Sequence, residues 1–160
     1  MLAERPHLFA NGRVVIINPN GVMIGPNGNV DVAGFIATSA DIANDAFMSG
    51  TGELDFSIAG NPDAVVENQG NISVGDAGLA ALVAPTVRNS GIIQGNLARI
   101  QLGAADVFGV DLFGDGLIHL AVKDPKKGKK RLLKAENDGS IFAAGGKVLM
   151  TAAAASDVVD

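Results

Sequence analysis

Carboxylates are the only side chains in this sequence whose types and spacing approach those of a chemical site. Asp106, Asp111 and Asp115 lie close together beside Gly114 and Gly116. Calcium needs six or more oxygens, and a continuous loop supplies them best as alternating acids ahead of a glycine, Asp-x-Asp-x-Asp-Gly. The spacing here differs, so these three read as solvated turn carboxylates. Glu53, Asp55, Asp63 and Glu67 form a second acidic concentration. A polysaccharide lyase or hydrolase needs such groups clustered on one face, often with basic partners. Only their number argues for that chemistry here. His7 and His119 are too far apart in sequence for a local zinc motif, and no His-Glu-x-x-His occurs. His119 reads as a surface or corner residue. No Gly-x-Ser-x-Gly or Ser-x-x-Lys nucleophile motif is present, nor a Walker loop or dinucleotide fingerprint. Cysteine is absent, which excludes thiolate metal sites and disulfides. The chain therefore reads as a non-enzyme with no cofactor and no metal.

Two further groups of residues suit contact rather than catalysis. Asn18-Pro19-Asn20-Gly21 reads as a type I turn closed by Asn-Gly. A basic stretch follows at 123–134, with seven basic residues and one acid, in a chain whose net charge is −5. Its Pro and Gly mark it as a protruding loop. Lys126, Lys127, Lys129, Lys130 and Arg131 could meet a sulfated glycan or a lipopolysaccharide phosphate; the simpler reading is a solvated insertion. The remaining sequence is strongly acidic, which argues against nucleic acid as a partner.

The elements that position these residues are announced by a repeat. Asn-x-Gly-x-Ile occurs at Asn68-Gln69-Gly70-Asn71-Ile72, at Asn89-Ser90-Gly91-Ile92-Ile93 and at Asn137-Asp138-Gly139-Ser140-Ile141. The first two copies are 21 residues apart and the next 48, about two periods plus an insertion. Such a period points to a solenoid. With 4% aromatic residues and no Trp or Tyr, the interior must be filled by Val, Ile, Leu and Ala, which suit flat stacked strands. Twenty-one glycines imply frequent turning. Each repeat opens on Val65-Val66, Val87 or Ala135. It closes on an apolar run, at Leu79–Ala84, Leu97–Leu102 or Val148–Ala152. Asn68, Asn89 and Asn137 sit at a fixed corner where amides can stack in a ladder. Gly70, Gly91 and Gly139 sit at the next, where glycine permits the bend. About seven coils would fit, giving an axis of about 35 Å. Residues 39–49 depart from the pattern: Ser39 caps a helical turn or two, an excursion from the coil. Glu53–Ile58 alternates as a strand, and 111–122 reads as a hairpin or coil corner followed by a strand.

These residues resemble the haemagglutination-activity, or secretion, domain of two-partner secretion exoproteins, the filamentous-haemagglutinin-like adhesins. The resemblance is carried by 17–27, 30–39, 66–72, 82–91 and 115–118, and by the run at 145–152 that looks like the family's downstream repeats. It implies an all-β, right-handed parallel β-helix over 1–160, truncated at the family's N-terminal cap, with 135–156 beginning the downstream repeats. It also implies an exported adhesion module of a Gram-negative bacterium, secreted or held at the cell surface, that nucleates β-helix folding there. The implied partner is an Omp85-type outer-membrane transporter whose periplasmic domains recognise this region. The Asn18, Pro19 and Asn20 motif matters for folding and secretion in the family. Met1–Pro6 lacks the apolar segment of a signal peptide, so the export signal is not in this chain. The alternative is a fibre subunit: uncapped solenoid ends expose strand edges that could stack head to tail.

Overall fold

The computed structural model describes residues 7–42, 53–111, 118–121 and 133–152. Short strands rich in Val and Ile alternate with turns, and each strand of the coils pairs with its counterpart in the next turn of the chain rather than with its sequence neighbour. The first coil holds β1 (His7–Phe9) and β2 (Arg13–Ile17). The second holds β3 (Gly21–Ile24), β4 (Asn29–Val32) and β5 (Gly34–Thr38). After an excursion containing β6 (Glu53–Phe56), the third holds β7 (Val65–Asn68), β8 (Asn71–Val74) and β9 (Leu79–Ala84). The fourth is β10 (Thr86–Asn89), β11 (Ile92–Gln94) and β12 (Arg99–Ala104). A second excursion carries β13 (Val107–Asp111) and β14 (Ile118–Ala121) before the fifth coil, β15 (Lys134–Asn137), β16 (Ser140–Phe142) and β17 (Lys147–Ala152).

Three parallel sheets run along the stack. Sheet I is β1-β4-β8-β11-β16, sheet II is β2-β5-β9-β12-β17 and sheet III is β3-β7-β10-β15. This is a parallel β-helix, as the repeat predicts. Its described part is five layers deep rather than seven, about 19 Å along the axis at the inter-strand spacing. The difference has a simple cause. The described strands between Thr38 and Val65, and between Ala104 and Lys134, are β6, β13 and β14, which stand outside the three ladders and add no coil. The helical turn expected within 39–49 falls mainly outside the described residues.

Inward-facing columns build the core: Val30, Ile72 and Ile93 from sheet I, Phe35, Ala80 and Ile100 with Ala37, Leu82 and Leu102 from sheet II, and Val66 and Val87 from sheet III. Sheets I and III face water on their other side, so β7 and β8 alternate in burial. Sheet II does not. Its β9 is almost continuously buried, which explains the unbroken run Leu79-Ala80-Ala81-Leu82-Val83-Ala84. β17 is the outermost strand of the sheet, and Val148 and Met150 are exposed there.

The cover over sheet II is made by the two excursions together. β13 pairs antiparallel with both β14 and β6, so strands from separate insertions form one accessory sheet. The strand expected at Glu53–Ile58 is β6, ending at Phe56, and the strand expected to follow a hairpin or coil corner in 111–122 is β14, with 112–117 outside the described residues. Mutual backbone hydrogen bonds between Asp41 and Ile58 (2.7 and 3.1 Å) pin the base of the first excursion. Leu54, Phe56, Phe108 and Val110 pack on the outward Ile36, Ala81 and Val83 of sheet II in a second core. Phe56 and Phe108 stack with ring centroids 4.4 Å apart and planes 8° from parallel.

The apolar run of the fourth coil starts at Arg99, not Leu97. Leu97 belongs to the preceding corner and takes a left-handed φ of 54°, as Ala77 does at the corner one coil below (59°). Glycine fills this left-handed role in the fifth coil, where Gly145 has φ 72°.

Phe108→Ala is expected to cost about 3–5 kcal/mol in urea unfolding. Phe142→Ala, at a ring left largely in solvent, is expected to change stability by less than about 0.5 kcal/mol.

Candidate functional site

Asn18-Pro19-Asn20-Gly21 lies at the corner where the chain passes from sheet II to sheet III, between β2 and β3. The Gly21 amide donates to the Asn18 carbonyl at 2.9 Å, closing a four-residue turn. Pro19 supplies the fixed φ of the first central position. Asn20 keeps an ordinary negative φ, so the turn is of type I rather than type II. The Asn18 side chain locks it further, because Oδ1 accepts from the Asn20 amide at 3.0 Å. Gly21 has φ +112°, and a Cβ there would lie 2.4 Å from the Val65 carbonyl oxygen. The Asn18 amide donates to Thr38 O at 3.0 Å, which ties the corner to the coil above. Asn18, Pro19 and Asn20 are all exposed. The corner is thus a surface feature with a fixed shape.

The same construction recurs in the third coil at Asn61-Pro62-Asp63-Ala64. Asn61 Oδ1 accepts from the Asp63 amide at 2.9 Å, and Ala64 donates to Asn61 O at 3.0 Å. The second Asn-Pro followed by an acid or amide immediately before a strand was the available sequence signal. It was obscured because the excursion places it 43 residues after the first, about two periods, although the two turns lie only one coil apart.

Asn68, Asn89 and Asn137 stand in register on sheet III. Asn68 Nδ2 donates to Asn89 Oδ1 at 2.9 Å, and Asn89 Nδ2 to Asn137 Oδ1 at 2.8 Å. The first two are essentially fully buried, and each amide also bonds backbone, as from Gly70 N to Asn68 Oδ1 at 3.0 Å. In the second coil Ile24 occupies this position, so the ladder starts at Asn68. The glycines next to it serve a purpose other than bending. Gly70, Gly91 and Gly139 lack a positive φ. A Cβ on Gly70 would sit 2.4 Å from Gly28 O, and on Gly91 or Gly139 2.1 Å from the carbonyl of the glycine below. Close coil-to-coil approach, not turn conformation, demands glycine.

The outward face of sheet III carries Glu67, Arg88 and Glu136 in register. Arg88 Nε reaches Glu136 Oε2 at 3.1 Å, and Lys134 Nζ bonds the other carboxylate oxygen. The Lys134 hydrogen bond, helped by the charges of Lys134 and Arg88, holds the Glu136 carboxyl below its ordinary range.

The other acidic residues named above are spread over separate elements. Glu53 and Asp55 lie on β6, Asp63 in the corner turn and Glu67 on β7, where it accepts from Gln69 Nε2 at 2.8 Å. Among the described residues no three His, Asp or Glu side chains are grouped to hold a metal. Asp106 is buried, Asp111 ends β13, and Asp115 lies outside the described residues. His7 stacks on Phe9 at 5.4 Å, and His119 lies on β14 opposite Gly109. Lys126, Lys127, Lys129, Lys130 and Arg131 lie outside the described residues.

The model of the TPS secretion domain family matches residues 7–160. Among solved structures, the chain is similar to the HMW1 secretion domain from Haemophilus influenzae, with 28% identity and a TM-score of 0.71. The similarity covers 88% of this chain but 36% of that one, so the chain spans about a third of its length. No curated protein matches the sequence.

Asn89→Asp keeps the acceptor for Asn68 but loses the donor to Asn137 and buries a charge. It is expected to cost about 2–4 kcal/mol in urea unfolding, and Asn137→Asp, at the exposed end of the ladder, under about 1 kcal/mol. The lowered Glu136 pKa stabilises the fold above the unfolded-state pKa, and that contribution disappears as pH falls through the folded-state value. Glu136→Gln is therefore expected to lower the melting temperature near neutral pH and to leave it unchanged once the carboxyl is protonated, as melts across an acid series would show.

Proposed function

Because the chain belongs to the TPS secretion-domain family, we propose that it is the non-catalytic export module of a larger two-partner secretion exoprotein. An outer-membrane transporter of the Omp85 type recognises it through the Asn18-Pro19-Asn20-Gly21 corner. The module crosses the outer membrane of a Gram-negative bacterium and nucleates β-helix folding at the cell surface. One observation carries this reading: the corner is exposed, yet its backbone is fixed by two hydrogen bonds within the turn, from Gly21 N to Asn18 O and from Asn20 N to Asn18 Oδ1. A surface presented in one conformation loses little entropy when a partner binds.

The nucleation role draws on the stack itself. Each coil offers a free row of backbone donors and acceptors to the next, and the buried amides of Asn68 and Asn89 impose one register on it. A completed coil is a template for its successor.

The test is export from a Gram-negative host in which the chain, carried behind a periplasmic leader, is produced with and without its transporter. The chain is expected in the medium only when the transporter is present, and Asn18→Ala is expected to reduce its release at least tenfold. Removing the Asn18 side-chain hydrogen bond costs about 1 kcal/mol, so the purified variant should retain its β-sheet circular dichroism. Equal release without the transporter would overturn the reading.

A further inference from the structure

Resting on the reading that the Asn18 corner is what the transporter recognises, we propose that the recognised surface has two tiers, Asn18–Asn20 and, one coil further on, Asn61–Asp63.

The two turns are built alike. In each, an Asn side-chain oxygen accepts from the amide two residues on, at 3.0 Å from Asn20 and 2.9 Å from Asp63. In each, the Asn carbonyl accepts from the residue three on, at 2.9 Å from Gly21 and 3.0 Å from Ala64. They are joined directly, since the Asn61 amide donates to the Pro19 carbonyl at 2.8 Å. The contact is close enough to require glycine beside it: a Cβ on Gly60 would lie 2.2 Å from Ser39 O and 2.9 Å from Pro19 O. The second tier therefore fixes the first, and the pair behaves as one rigid surface.

Turning the chain does not require this construction. One coil further on, sheet II passes to sheet III through the single residue Pro85 between β9 and β10. Pro85 is buried, and its carbonyl accepts from the Lys134 amide at 3.0 Å. A one-residue corner thus fits this solenoid, whereas the first two close on four-residue turns, Asn18–Gly21 and Asn61–Ala64, and display Pro19 and Pro62, Asn20 and Asp63 in solvent. Among the described residues, extra length, matched hydrogen bonding and exposure coincide only at these two tiers.

The chemistry of the surface defines its partner. Two prolines about one strand spacing (~4.8 Å) apart offer apolar contacts already restricted in conformation. Asp63 adds a carboxylate beside the neutral Asn20. A fitting protein surface presents a shallow apolar strip with a cationic side chain at its margin, whose charge sets orientation and encounter rate.

The test measures binding of the purified chain to the isolated periplasmic domains of its transporter. Three variants are compared with the parent: Asn18→Ala, the double variant Pro62→Ala/Asp63→Ser, and Asp76→Ser at a different, exposed corner. Thermal melts accompany each. The double variant changes only exposed side chains, so its melting temperature is expected to stay within a few degrees of the parent. Binding is expected to weaken at least tenfold for Asn18→Ala and for the double variant, and to be unchanged for Asp76→Ser. Weakening by Asn18→Ala alone would overturn the two-tier surface and leave the proposed function standing. Unchanged binding by both would overturn recognition at this corner and the second tier with it.

Discussion

Everything in this fold answers to the spacing between one coil and the next. Backbone hydrogen bonds set that spacing at about 4.8 Å, and no side chain can enlarge it without breaking the ladder. Where two corners pass directly over one another, even a methyl group is too large, and the column Gly70, Gly91 and Gly139 follows from that. At the sheet III corner the same spacing lets one amide bond the next, as Asn68 does to Asn89 and Asn89 to Asn137. The same spacing makes a corner motif of one coil a direct neighbour of the next, which brings Asn61 onto Pro19.

The parallel β-helix was legible because its signals repeat in register. The Asn-x-Gly-x-Ile phrase marks the coils that pair as β7, β10 and β15, and the apolar runs mark sheet II. The reason for the glycines was not legible, because a crowded glycine and a left-handed glycine look the same in sequence. Leu97 was misplaced for a related reason. An apolar residue beside an apolar run invites inclusion in the strand, yet it occupies a left-handed corner. The accessory sheet was half visible. Its strands could be read singly, but antiparallel pairing between β6 and β13 leaves no periodic trace, so their union and their packing on sheet II emerge only in three dimensions. That sheet also takes β6, β13 and β14 out of the coils, which leaves five layers among the described residues.

For the corner at Asn18, sequence exposed the turn but not its support. The motif reads as a local type I turn, and the turn it forms is of that kind. Its rigidity, however, depends on Thr38, Gly60 and Asn61 from other coils. A display surface on a solenoid is therefore a property of neighbouring layers, and a secretion module can present a defined shape without the deep pocket that a small-molecule site needs.

The shared accessory sheet imposes an order of assembly. Among the described strands β6 pairs in it only with β13, which lies far later in the chain and on the other side of two complete coils. A polypeptide emerging from its N-terminus can stack its first coils as they appear, since each rests on the one before. Its outer cover must wait: Ile36, Ala81 and Val83 stay without their lid until Val107–Asp111 arrives to clasp Glu53–Phe56. Closing so long a loop is slow relative to local stacking. The sealing of this flank thus follows the making of the first four coils, long after the helix beneath it has begun to grow.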